Sequence, residues 1–381
     1  MPIKVFFATN RAGPLPTPVG TRDRADHLRF GEAEVEAKDW LGTELDRRVL
    51  AIRETGTLFL SDASPAPAAS AALQAWFAAA AEGVPLLLVH GFANGFEGTL
   101  KRAAQIVQFY EGGDPAVQLV PLVFAWPSLG TTLGALQSLD TAEKPYHDDQ
   151  TMAAASGPAL ARLLHEILLA RPAAGTAADG LTLLAHSMGN WVLHHALAAL
   201  GYAPLAGPFR HALQMAADAD WQVWAPGQPL RRLATLAQAV TIGTNADPVL
   251  QTVSGIANHG GKRLGHYGPL HLGSLPASVT VLDCLDGING VDTARIKSQG
   301  GTEWDSIWHQ YYRNNQNVRA YLTAVFAGAG TAELDAMRLA LAPAERWSDG
   351  DGSPGMGRGR THALLPVMFQ DTGPPPTQGI A

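Results

Sequence analysis

A single cysteine, Cys284, is present in 381 residues, so no intramolecular disulfide can brace the chain and its fold rests on packing alone. Placed after the β-branched run Val279-Thr280-Val281, that thiol reads as buried and inert. Charge is also sparse: only 16% of residues are charged, and the 27 Lys and Arg form no long basic run that could neutralise a row of phosphates. With a formal net charge of −7, the chain is not expected to bind nucleic acid. No stretch reaches the roughly 18 to 20 uninterrupted apolar residues of a membrane helix. Even Leu193 to Leu200 contains His194 and His195 and stops at Gly201. The start, Met1-Pro2-Ile3-Lys4-Val5-Phe6-Phe7, is too short an apolar run for a secretory signal, which makes the cytoplasm the expected location. Neither an HExxH nor any clustered ligand spacing occurs, so no metal and no organic cofactor are expected.

What is present is apolar: 46% of residues are hydrophobic, enough for a sizeable core. Short β-branched or apolar runs alternate with Ala/Leu-rich stretches of helical period, the pattern of an α/β fold with a mostly parallel sheet covered on both faces. Strands are expected at 3 to 8, 49 to 53, 57 to 60, 84 to 89, 117 to 125, 181 to 185, 212 to 217, 238 to 243 and 278 to 284, the first three forming an antiparallel edge. Helices are expected near 69 to 81, 97 to 110, 153 to 170, 188 to 200, 229 to 236, 313 to 326 and 331 to 341. Residues 1 to 344 read as one domain, with a lid or pocket-wall insertion over 128 to 156. The Gly- and Pro-rich residues 345 to 381, including Pro374-Pro375-Pro376, cannot bury enough apolar surface to fold independently.

The sharpest motif is Leu181-Thr182-Leu183-Leu184-Ala185-His186-Ser187-Met188-Gly189-Asn190, a buried strand that runs into a small-x-Ser-x-Gly turn and then a helix. Such a turn pushes a serine hydroxyl out of the sheet, within reach of a base, and aims the following N–H at a developing oxyanion. Ser187 is the expected nucleophile, Ala185 standing where the usual motif has glycine. Upstream, Val84-Pro85-Leu86-Leu87-Leu88-Val89-His90-Gly91-Phe92 is a second buried strand ending in a turn that suits an oxyanion donor. The backbone N–H groups of Phe92 and Met188 are the expected oxyanion hole, and Gly91 permits the close approach. His90, His186 and Trp126 are pocket candidates, with His90 more suited to fixing the loop than to proton transfer.

Acid and base must follow in the chain order Ser, Asp or Glu, His. Asp247, in the turn Thr244-Asn245-Ala246-Asp247-Pro248, is the favoured acid and Asp218 the alternative, with Asp220 reading as a cap. His309, within Trp304-Asp305-Ser306-Ile307-Trp308-His309, is the favoured base; His259, His266 and His271 stand too early and His362 falls in the tail. A carboxylate would have to replace Ser187 in a dehalogenase, so that class is disfavoured.

On Leu88-Val89-His90-Gly91-Phe92-Ala93-Asn94, Phe124-Ala125-Trp126-Pro127-Ser128, Ala185-His186-Ser187-Met188-Gly189-Asn190, Asn245-Ala246-Asp247 with Arg263-Leu264-Gly265, and His309-Gln310-Tyr311-Tyr312, the chain resembles the α/β-hydrolase superfamily. It is most similar to an uncharacterised bacterial family of such enzymes, over roughly residues 84 to 326. The resemblance implies the α/β-hydrolase fold, a Ser187, Asp247, His309 triad and esterase-like activity on a small-molecule acyl ester. An acyltransferase with the same triad and a non-catalytic binding protein on the same fold are the competing readings.

Overall fold

The computed structural model describes residues 1–17, 23–38, 47–112, 117–129, 139–172, 177–200, 207, 209–284, 308–330, 333–334, 339–341 and 360–364. Its organisation starts from strands without polar alternation. Along β4 (Val84–Val89), Leu87 and Val89 enter one core while Leu86 and Leu88 enter another. A strand apolar on both faces must be covered on both, which is the requirement of a parallel sheet flanked by helices.

The sheet comprises β1 (Ile3–Arg11), β2 (Arg24–Val35), β3 (Val49–Phe59), β4, β5 (Leu119–Phe124), β6 (Thr182–His186), β7 (Phe209–Met215), β8 (Ala237–Thr244), β9 (Val279–Asp283), β10 (Leu339–Leu341) and β11 (Arg360–Leu364). Their order is β10-β11-β9-β8-β7-β6-β4-β5-β1-β2-β3. From β11 to β1 all neighbours are parallel, and β2, β3 and β10 add antiparallel edges. Helices α1 (Pro67–Ala79), α3 (Leu139–Ala170) and α4 (Gly189–Ala199) cover one face. Helix α2 (Phe96–Glu111) and the helix Gln316–Ala327 cover the other. Among the described residues no helix is long and apolar enough to cross a membrane, and no group of three or more His, Cys, Asp or Glu could hold a metal ion. Cys284 is buried.

Several expected boundaries are corrected. The antiparallel edge contains a strand the sequence pattern hid: in β2, buried Leu28, Phe30, Ala33 and Val35 are interleaved with Arg29, Glu32 and Glu34, and the alternation slips at a bulge by Gly31. The expected strands 49 to 53 and 57 to 60 are one continuous β3, bridged through Gly56. The helix expected from 153 begins at Leu139 and runs through Pro145 and Pro158, so it takes in the second half of the expected 128 to 156 insertion, whose residues 130 to 138 lie outside the described ones. Instead of ending a helix over 331 to 341, residues 339 to 341 form β10, and residues 360 to 364 of the tail pair with β9 as β11. The helix expected at 229 to 236 is a 3₁₀ turn followed by the single α-turn Leu233–Leu236.

From β4 the chain moves to β5 on one side and then to β6 on the other. Strand order reverses at β4, and the crevice beyond the carboxyl ends of strands flanking such a reversal is where open α/β sheets bind ligands. The loops after β4 and β6 both open there.

Candidate active site

Ser187 follows β6 with φ +52, the left-handed region that a residue with a Cβ adopts at a cost of about 1 to 2 kcal/mol. The strain is held by hydrogen bonds on both sides of the residue. Its N–H donates to the Met215 carbonyl at 3.0 Å, and its carbonyl accepts from Asn190 N at 3.0 Å and Asp218 N at 3.1 Å. Helix α4 can begin at once because Gly189 lies against β4: a Cβ there would meet Val89 O at 2.4 Å. Gly91 fits the same elbow from the other side, since a Cβ would sit 2.7 Å from Ser187 Cβ. Ser187 is deeper than a serine standing clear of a sheet edge, with only 3% of its surface exposed.

Asp247 and His309, 62 residues apart, meet directly: His309 Nδ1 donates to Asp247 Oδ2 at 2.6 Å, with both side chains buried. The carboxylate is oriented in turn, since its Oδ1 accepts from Val249 N at 2.9 Å and Leu250 N at 3.4 Å. Engaging Nδ1–H in this way leaves Nε2 as the acceptor of the His309 ring. The backbone carrying His309 is tied to the elbow. His186, next to Ser187, donates from Nε2 to the His309 carbonyl at 3.1 Å, and the two rings lie 4.7 Å apart. Asn245 Nδ2 donates to the Trp308 carbonyl at 2.9 Å, and the Tyr311 hydroxyl accepts from Ala216 N at 2.9 Å.

Asp218 is adjacent to the elbow through its backbone, yet its side chain is fully engaged elsewhere. Arg263 Nε donates to Oδ1 at 2.8 Å, Tyr146 OH to Oδ2 at 2.9 Å, and Ser254 Oγ also to Oδ1. It does not share the hydrogen bond that joins Asp247 to His309. Asp220 caps the following 3₁₀ turn by accepting from Gln222 N, as expected. His266 Nδ1 reaches only the Asp247 carbonyl, at 3.2 Å.

The two nominated oxyanion donors flank the elbow: Met188 follows Ser187, and Phe92 follows Gly91. Neither N–H has a hydrogen-bond acceptor among the described residues. His90 and Trp126 support this loop. The His90 imidazole donates from Nδ1 to Gly91 O at 2.9 Å and stacks on the indole at 5.0 Å, while Trp126 Nε1 donates to His90 O at 2.8 Å. Trp126 is wholly buried in the core.

Burial pushes His90 down to about 3 and His186 well below the usual imidazole range, with the neighbouring Arg11 and His309 adding to the effect respectively. His211, on β7, is also lowered by burial to about 3 while bonded to Thr241 Oγ1. Between about pH 6.5 and 3 the unfolded chain takes up protons at His90 and His211 and the folded chain does not, so the stability contribution of these two is complete above 6.5 and is lost as pH falls. The urea midpoint is expected to drop between pH 6.5 and 4.5, each such imidazole supplying roughly 2 to 3 kcal/mol. His211→Gln is expected to flatten the decline, and an identical slope in that variant would contradict a neutral His211.

Sequence reasoning missed Arg11, Tyr146 and Asp149. All three are buried polar residues, at the end of β1 and in the early turns of α3. The only sequence signal was polarity inside an otherwise apolar pattern, which for Tyr146 and Asp149 fell in a segment read as a lid. Tyr146 bonds Asp218 and packs its ring 5.7 Å from Phe92.

A family model described as an alpha/beta hydrolase of unknown function (DUF900) matches residues 68–325. No curated protein and no solved structure matches the chain.

Proposed function

Since the chain belongs to this family of α/β hydrolases of unknown function, we propose that it is a serine hydrolase cleaving a carboxylic ester through Ser187, Asp247 and His309. The observation that carries the reading is the buried hydrogen bond between Asp247 and His309, whose backbone carbonyl is bonded by His186, the residue before a serine held at positive φ. In this reading His309 Nε2 takes the Ser187 hydroxyl proton as Oγ attacks the ester carbonyl. The N–H groups of Phe92 and Met188 receive the oxyanion, which in a water-poor site is worth several kcal/mol. The protonated His309 returns its proton to the departing alcohol, leaving Ser187 acylated. Water, deprotonated by His309, then releases the acid and restores the hydroxyl. Asp247 stays ionised throughout, stabilising the imidazolium.

Purified protein is expected to hydrolyse p-nitrophenyl acetate or butyrate and to be phosphonylated by a fluorophosphonate probe on the peptide carrying Ser187, read by mass spectrometry. Absence of both reactions, or labelling at another serine, would refute the proposal.

A further inference from the structure

The Gly91 carbonyl accepts two hydrogen bonds, from His90 Nδ1 at 2.9 Å and Asn94 Nδ2 at 3.0 Å. In a trans peptide unit the carbonyl and the following N–H point in opposite directions, so fixing Gly91 O also fixes the direction of the Phe92 N–H. Asn94 further donates to the Phe92 carbonyl at 2.7 Å, which grips the next peptide as well. The loop cannot hold this shape by local preference, because Ala93 sits at φ +60.

What holds Asn94 comes from outside the loop. Its N–H donates to Ser128 Oγ at 3.0 Å and its carbonyl accepts from Arg11 Nη2 at 2.8 Å. The Ser128 hydroxyl donates to Asp149 Oδ2 at 2.5 Å, and the Ser128 carbonyl accepts from Arg11 Nη1 at 3.2 Å. Asp149 also takes the Ala93 N–H at 3.3 Å and the Leu129 N–H at 2.9 Å. Its carboxylate is completely buried, and an ion withdrawn from water costs several kcal/mol unless donors and a counter-charge surround it. Three donors and the buried Arg11 guanidinium, which interacts electrostatically with Asp149, supply both, and the three donors belong to the loop after β4 or to the segment after β5 that braces it.

We propose that Asp149, carried by α3, is a positioning residue for the oxyanion-binding N–H of Phe92, acting through Ser128, Asn94 and the Ala93 amide with Arg11 as its counter-charge. This rests on the reading of Ser187 as the nucleophile. Asp149 touches neither substrate nor reacting atoms in this scheme, and its loss displaces a donor that matters most when negative charge develops. The signature is therefore a loss in kcat with KM held.

The test compares Asp149→Asn and Ser128→Ala with the unaltered full-length chain. In Asp149→Asn, kcat for p-nitrophenyl acetate is expected to fall about 100-fold, the effect of a donor misplaced by roughly 1 Å, and in Ser128→Ala about tenfold. KM should stay within about threefold, while affinity for a trifluoromethyl ketone, whose adduct carries the oxyanion, falls in parallel with kcat. Amide exchange at Ala93 and Leu129 should quicken in Asp149→Asn. A folded Asp149→Asn with kcat within about threefold of the parent chain overturns the proposal. If that variant fails to fold, an unchanged kcat in Ser128→Ala does so. If the unaltered chain cleaves no ester, the esterase reading falls, and the exchange measurement alone judges the clamp: unchanged protection of both amides overturns it.

Discussion

Ser187→Ala is expected to lower kcat for p-nitrophenyl esters by at least about ten-thousand-fold, to the level left by binding and the oxyanion donors alone. The size follows from covalent catalysis: without Oγ there is no acyl acceptor. Folding should not suffer. The turn is held through the Ser187 backbone, by Met215, Asn190 and Asp218, and alanine keeps all of those bonds. Alanine at φ +52 is no more strained than serine, so the thermal midpoint should be unchanged or slightly raised, as is common when a catalytic group is removed. Undiminished turnover in the folded variant would end the hypothesis. A variant that unfolds would instead show that the hydroxyl stabilises the elbow.

The second large effect separates two carboxylates that the sequence leaves in competition. Asp247→Asn is expected to reduce kcat by roughly a thousand- to ten-thousand-fold with little change in stability. An amide at 247 can present N–H to His309 Nδ1, which favours the tautomer carrying its proton on Nε2, where a lone pair is needed. Asp218→Asn should behave in the opposite way. It leaves Arg263, only 4% exposed at its side chain, without its counter-charge, and breaking a buried pair costs about 3 to 5 kcal/mol. Turnover per folded molecule should then stay within about tenfold. Urea denaturation beside kcat, measured on both variants, decides the assignment: a larger loss of kcat per folded molecule in Asp218→Asn would transfer the acid's role to Asp218.

The elbow around Ser187 was open to sequence reasoning because its signals are local. A buried strand followed by a serine between small residues defines the β6 elbow, and His90-Gly91 at the end of β4 defines its neighbour. The central strands were readable for the same reason: Leu86-Leu87-Leu88 and Leu183-Leu184 have no polar side, which only a sheet covered on both faces accommodates. Legibility failed where a strand or helix is stabilised by partners far along the chain. Strand β2 carries Arg29 and Glu32 among its core residues because Arg29 donates to the Arg11 carbonyl and Glu32 pairs with Lys4 and Arg53 across the edge. The first half of α3 resembled a polar lid because Tyr146 and Asp149 are paired with Asp218 and Ser128, partners that no periodicity reveals. Tertiary hydrogen bonding overrode composition in both places.

Arg11 lies at the end of the first strand, while the family match begins only at residue 68. Trimming the chain to the matched segment would keep Ser187, Asp247 and His309 while discarding the cation that holds Asn94 in the loop after β4. The segment recognisable by descent and the set of residues that brace the loop after β4 therefore have different limits, the second reaching back into the N-terminal strand.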